Sequence, residues 1–302
     1  MFGVKDFELI MSDIRESPWT WLVAGGATLT SLYLLHSKVK ARSSKKASKS
    51  KTVPPGTVIL HQFQRGPFAP SFSPFPIKLE TYLRLAKIPY VTETNENMSK
   101  KGKMPWMEYN GEEVADSHIC ITYLNQKLGI DLNKNLDPVQ RATARAIQSL
   151  CEDHLYWALV CLRWLWDPER KLVKMFVKSP IVLWLVVRNL GNQAWGQGMS
   201  RHSRPEVKSF VLEDLQALTD FLGDKKFMMG DEITEVDCCV FGFLCQLIYH
   251  QKDEFFDGLV EARFPSLVQY KDRVKTLVWP DWDDISAGKE TPLSGTLLEG
   301  RQ

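Results

Sequence analysis

No acidic residue occurs between residues 38 and 51, and no formally charged residue at all between 17 and 37. The six cysteines include no C-x-x-C pair, so neither a dithiol redox pair nor a four-ligand zinc pattern is written into the chain. Eighteen glycines and sixteen prolines are too few for collagen-like or low-complexity sequence, and no internal repeat is visible. Positive charge is scarce in the main body. Residues 52–302 hold 29 Lys and Arg against 32 Asp and Glu, which leaves no electrostatic footprint for nucleic acid. What is present is ordinary folding material: 44% hydrophobic and 25% charged residues in 302, enough for about two domains.

The charge-free run 17–37 includes Trp19, Trp21, Leu22, Val23, Leu29, Leu32, Tyr33, Leu34 and Leu35. As a helix it would rise about 31 Å, close to the hydrocarbon thickness of a bilayer, with aromatic rings near its ends. It therefore reads as a transmembrane anchor behind a short tail, 1–16. A cleaved leader would carry a basic start and a small-residue cleavage site, whereas the first sixteen residues are net acidic. Lys38, Lys40, Arg42, Lys45, Lys46, Lys49 and Lys51 follow at once. Such a basic flank stays on the cytoplasmic side, so the expectation is an integral, single-pass protein with a cytosolic body, in either the endoplasmic reticulum or the mitochondrial outer membrane. Residues 38–56 are a basic linker.

Residues 57–128 read as a small α/β unit. Thr57–Phe63 is an apolar, β-branched strand; Pro74–Ala86 is a helix with Ser73 at its N-cap; Pro89–Thr94 is a second strand. Met104–Tyr109 and Glu112–Ala115 flank Asn110-Gly111, a strong two-residue hairpin signal. Asp116 caps a helix running to Leu128. Strand, helix, strand, hairpin and helix is a thioredoxin-like order. Ser73-Pro74-Phe75-Pro76, Met104-Pro105 and Asp116-Ser117 together resemble the N-terminal domain of glutathione transferases. That resemblance implies that Ser73 meets the glutathione sulfur, that the bond before Pro105 is cis, and that Asp116 and Ser117 hold the γ-glutamyl group. Each role has a physical basis: unpaired N–H groups at a helix start favour negative charge, an extended backbone at residue 104 can pair with a peptide, and an acidic side chain meets an amine.

Residues 137–280 read as all-helical. A long helix begins at Asp137-Pro138; Pro180–Trp195 is a second apolar stretch expected to pack inward; Pro205–Leu222 is amphipathic and ends at Gly223. Thr234 and Asp237 form a capping box, with Ile233 as hydrophobic staple, before a nearly all-apolar helix. The six cysteines fall in apolar helical patterns and read as reduced core thiols, and 283–302 as a polar tail. The fold class is thus α/β plus all-α: a thioredoxin-like N-terminal domain, an all-helical domain like the C-terminal domain of glutathione transferases, and an N-terminal transmembrane helix.

His61-Gln62-Phe63, the Ser73–Phe75 opening with Lys78–Arg84 behind it, Gly102–Trp106 and Leu132–Leu136 together resemble the failed axon connections family, with metaxins as further relatives. The resemblance implies a role in axonal development with no established reaction, and protein partners. Redox relatives carry Cys where this chain has Ser73, and some a second thiol where it has Pro76, so dithiol exchange is excluded there. Metaxins usually carry their anchor at the opposite end. Two functions follow: a membrane-tethered, non-enzymatic binding protein, or a glutathione-dependent transferase in which Ser73 activates the thiol, with glutathione as the only cofactor implied.

Overall fold

The computed structural model describes residues 53–66, 68–94, 97–251 and 255–289. β-Branched and apolar Val58–Gln62 forms β1, buried along its whole length. Pro74–Leu85 forms α1, Tyr90–Thr94 β2, Trp106–Tyr109 β3, Glu112–Ala115 β4 and Ser117–Leu128 α2. The sheet order is β2-β1-β3-β4, with β2 parallel to β1 and the other pairs antiparallel. Asn110 and Gly111 take φ of 48° and 85°, the two positive values that the two-residue hairpin between β3 and β4 requires. Gly129 ends α2 in the left-handed conformation.

The helical half follows as α3 (Pro138–Ser149), a π-helical segment Leu150–Leu155, α4 (Tyr156–Val160), a second π-helical segment Cys161–Leu165, α5 (Lys171–Phe176), α6 (Pro180–Gln197), α7 (Arg204–Leu222), α8 (Glu235–Cys245) with a third π-helical segment Gln246–His250, α9 (Leu259–Arg263), α10 (Pro265–Val278) and α11 (Trp282–Ser286). From Pro54 onward the described residues pack as one unit. At its centre is α8, ten of whose residues, Val236–Cys245, are buried. It lies along α1, and Gly242 marks the closest approach: a Cβ there would sit 2.6 Å from the Pro74 carbonyl oxygen. Gly242→Ala is expected to lower stability by about 1–2 kcal/mol, because overpacking exceeds the helix propensity that alanine gains. Urea unfolding of the variant measures it, and an unchanged midpoint would contradict the contact.

Charged side chains tie the two halves together where the sequence showed only helix faces. Glu80 of α1, fully buried, accepts two bonds from Arg65 at 2.6 and 2.9 Å, one from Gln62 at 2.8 Å and one from the Tyr90 hydroxyl at 3.0 Å. Arg84, one turn on, forks onto Asp281 at 2.5 and 3.0 Å, with its guanidinium 4.0 Å over the Trp279 ring. All six cysteines are buried and unpaired. Burial pushes the Cys120 thiol up to about 12 and Cys161 to about 11, as reduced core thiols require.

Three expectations are corrected. The anchor at 17–37 lies outside the described residues, and among the described residues no helix is long and apolar enough to cross a membrane. The transmembrane helix, and with it the placement as an integral single-pass protein of the endoplasmic reticulum or mitochondrial outer membrane, is therefore not carried by the structure. Second, Pro180–Trp195 does not pack inward: of α6 only Leu183 and Ala194 are buried, while Ile181, Val182, Trp184, Leu185 and Trp195 are exposed. Third, α11 runs into the stretch read as polar tail, and Ile285 is wholly buried.

Candidate functional site

Strand register assembles the residues singled out by sequence. His61, near the end of β1, pairs with Trp106 at the start of β3, and Trp106 pairs with Ala115 at the end of β4. The chain leaves β1 toward Ser73 and α1 from this end, enters β3 through Met104 and Pro105 here, and passes from β4 into α2 through Asp116 and Ser117 here. All five therefore gather at one end of the sheet. Among the described residues no hydrogen bond joins Ser73 to the other four; what they share is this edge.

Ser73 is half-buried, with the extended backbone of an N-cap, φ −115° and ψ 141°, yet its hydroxyl makes no capping bond. The reason lies in the next residues. An N-cap oxygen accepts from the second or third N–H of the helix, and the third residue is Pro76, which has none. Pro74 removes another donor, so the first turn offers only the N–H groups of Phe75 and Ile77. The expectation of Ser73 as a bonded cap is thus corrected in detail: it holds the position without the bond.

The Met104–Pro105 peptide bond is cis, and both residues are buried. Asp116 sits at φ 85°, ψ 129°, a conformation uncommon for a residue with a Cβ. One of its carboxylate oxygens accepts from the His118 N–H at 3.0 Å. The other faces the exposed Lys103 ammonium at 4.0 Å, too loosely held to prevent a second cation from approaching. Ser117 is buried at the first position of α2.

Behind the two helix starts, Lys78 bonds Glu152 of the helical half at 2.5 Å. His118 is held below its usual range by burial, by Lys78 and by Arg145, so it is neutral near pH 7. Among the described residues no group of three or more His, Cys, Asp or Glu is placed to hold a metal ion. The arrangement offers an uncommitted hydroxyl, an edge of extended backbone and a carboxylate at a helix start. Chemically, such groups can donate a hydrogen bond to an anion, pair with an extended backbone and attract a cation.

Sequence reading missed the contacts of Phe72, the residue before Ser73. The Phe72 carbonyl accepts from Arg163 at 3.2 Å, and the Phe72 ring stacks on His250 with centroids 4.6 Å apart. A lone Arg163 between Leu162 and Trp164 was the available signal.

The family model described as "Glutathione S-transferase N-terminal domain" matches residues 74–169, and that described as "Glutathione S-transferase, C-terminal domain" matches 211–274. Failed axon connections of Drosophila melanogaster is 34% identical over 249 residues, 76% of this chain. The match spans 59% of that longer protein. An isoprene-epoxide–glutathione S-transferase of Rhodococcus sp. is 31% identical over 222 residues, 68% of this chain and 92% of the relative. Metaxin-2 of Mus musculus is 25% identical over 227 residues, 68% of this chain and 82% of the relative. Among solved structures, a beta-etherase from Sphingobium sp. superposes with a TM-score of 0.55 at 16% identity, over 77% of this chain and 99% of the other, a likeness of fold alone. The two matched domains and these relatives agree with the sheet and helical halves of the fold, and the chain belongs to the failed axon connections family of the metaxin and glutathione S-transferase-like superfamily.

Proposed function

We propose that the chain binds glutathione at the sheet end and conjugates its thiolate to an electrophile, the new S–C bond forming as the electrophile's ring or leaving-group bond breaks. The observation that carries this reading is the His61–Trp106–Ala115 register, which collects Ser73, Met104, Pro105, Asp116 and Ser117 at one edge. The Met104 backbone pairs with the extended peptide, Asp116 and Ser117 take its γ-glutamyl end, and the Ser73 hydroxyl donates a hydrogen bond to the thiolate. A charge-assisted bond of this kind lowers the thiol pKa. One relative carries glutathione transfer to an epoxide in its name, which favours chemistry of this class.

A second reading, binding of partners without turnover, is favoured by the two prolines. Pro74 and Pro76 leave the first turn of α1 with fewer N–H groups to stabilise a thiolate, and Ser73 alone has to compensate. Calorimetric titration with glutathione, beside a thiol-conjugation assay, separates the two. Wild type is expected to bind at millimolar glutathione or below. Asp116→Asn, which tolerates the positive φ and keeps the cap, weakens binding about tenfold by removing the charge that meets the amine. Ser73→Ala retains binding and loses conjugation. Binding without turnover in wild type would select the second reading, and no binding at millimolar glutathione would end both as glutathione functions.

A further inference from the structure

Seven basic residues and no acidic one fall between residues 170 and 205, a stretch made up of α5, α6 and the turn into α7. The rest of the body is net acidic, so this charge is concentrated in one place. Lys171 is paired with Glu169 at 2.7 Å. Among the described residues, Lys174, Lys178, Arg188 and Arg201 have no carboxylate within ion-pair distance.

The same stretch turns its apolar side chains outward. At about 100° per residue, Ile181, Trp184, Leu185, Arg188 and Trp195 of α6 share one stripe roughly 100° wide. Leu183 and Ala194, the two buried residues of α6, fall on the opposite side. That inner side is seated on the fold: a Cβ on Gly191 would lie 3.6 Å from Leu165 Cδ2. Ile181 is 73% exposed, Trp184 57% and Trp195 59%. Large apolar side chains grouped at such exposure mark an interaction surface. Each tryptophan carries a guanidinium beside its ring, Arg188 at 5.5 Å from the Trp184 centroid and Arg201 at 5.4 Å from that of Trp195.

We infer that the outward stripe of α6 docks on the surface of a bilayer containing anionic lipid. An apolar stripe bearing Trp and flanked by Lys and Arg is the pattern of helices that lie in the plane of a lipid interface. The rings suit the headgroup boundary, and the long basic side chains reach the phosphates while their stems stay against apolar surface. A second copy meeting this face about a two-fold axis would bring like charges together, so charge favours the lipid. Among the described residues no helix is long and apolar enough to cross a membrane, and the contact runs along the surface. It involves no glutathione and stands apart from the conjugation reading.

The test uses the full chain with Leu185→Cys carrying an environment-sensitive nitrobenzoxadiazole label, and Lys127→Cys on α2 as the control, both positions being exposed. Vesicles are phosphatidylcholine alone, or phosphatidylcholine with about 30% phosphatidylserine. The label at 185 is expected to brighten and shift to shorter wavelength on anionic vesicles, at roughly a tenth of the lipid that neutral vesicles require. The label at 127 is expected to stay unchanged. Lys174→Glu with Lys178→Glu, both exposed, raises the lipid required about tenfold, and salt at about 0.5 M acts in the same direction. The readout is local to α6, so attachment through another part of the chain does not reproduce it. No shift at 185, a shift as large at 127, an equal response to neutral vesicles, or an unchanged response with both lysines reversed would overturn the proposal. A shift with poly-glutamate but not with vesicles would assign the face to an acidic protein, and one that grows with protein concentration in the absence of lipid would assign it to a second copy; either would overturn it as well.

Discussion

Replacing Asp237 by alanine is expected to lower the free energy of unfolding by about 4 kcal/mol, from mechanisms the sequence showed only in part. The capping box is present: Asp237 Oδ2 accepts from the Thr234 N–H at 2.7 Å and from the Thr234 hydroxyl at 2.8 Å. Loss of such a cap costs about 1 kcal/mol. But Oδ1 also accepts from the Met228 N–H at 2.8 Å and from the Tyr270 hydroxyl at 2.8 Å, in a place with no solvent exposure. Alanine leaves those donors buried and unmatched, at about 1–3 kcal/mol each. Urea unfolding of Asp237→Ala against Thr234→Ala is the comparison to make. If both variants lose the same small amount, Asp237 is a cap and nothing more.

Glu80→Gln is expected to cost about 3 kcal/mol at neutral pH, because it removes the buried negative charge that faces both Arg65 and Arg84. Its pH dependence identifies the cause. Burial alone would raise the Glu80 carboxyl, but the charges of Arg65 and Arg84 and the bonds from Arg65 and Gln62 outweigh it and hold the group below its ordinary value of 4.5. A depressed carboxylate stabilises the fold above the unfolded pKa, and that stability is lost as pH falls through the lower, folded one. The gap between wild type and Glu80→Gln should therefore be full at neutral pH and close as the medium is acidified below about 4.5. Asp237 has the opposite sign: burial raises its carboxyl despite four bonds, so its ionisation weighs against the fold as pH rises. A Glu80→Gln penalty independent of pH would assign the loss to packing and not to charge.

Much of the sheet unit was legible in the sequence because its signals are local. Asn110-Gly111 fixes a hairpin within four residues, Pro74 opens a helix at its first position, and Asp116 caps another. The register then follows from which strand faces are apolar. The candidate site residues were visible for the same reason: Ser73, Met104, Pro105, Asp116 and Ser117 each sit at an element boundary, where special residues stand out. Less visible was everything that depends on distant partners. Arg84 and Asp281 are 197 positions apart, and nothing near either one announces the other. The π-helical segments were hidden because one inserted residue barely disturbs a helical periodicity. The outward face of α6 was misread since apolar content alone cannot say whether a helix has a neighbour.

The buried thiols have a practical consequence. Burial pushes Cys238, Cys239 and Cys245 up along with Cys120 and Cys161, so these five carry almost no thiolate, the form that alkylating reagents attack, while the native state persists. A spectroscopic label directed at a newly introduced surface cysteine would therefore pass over these five, and the sixth, Cys151, is shielded from the reagent by burial.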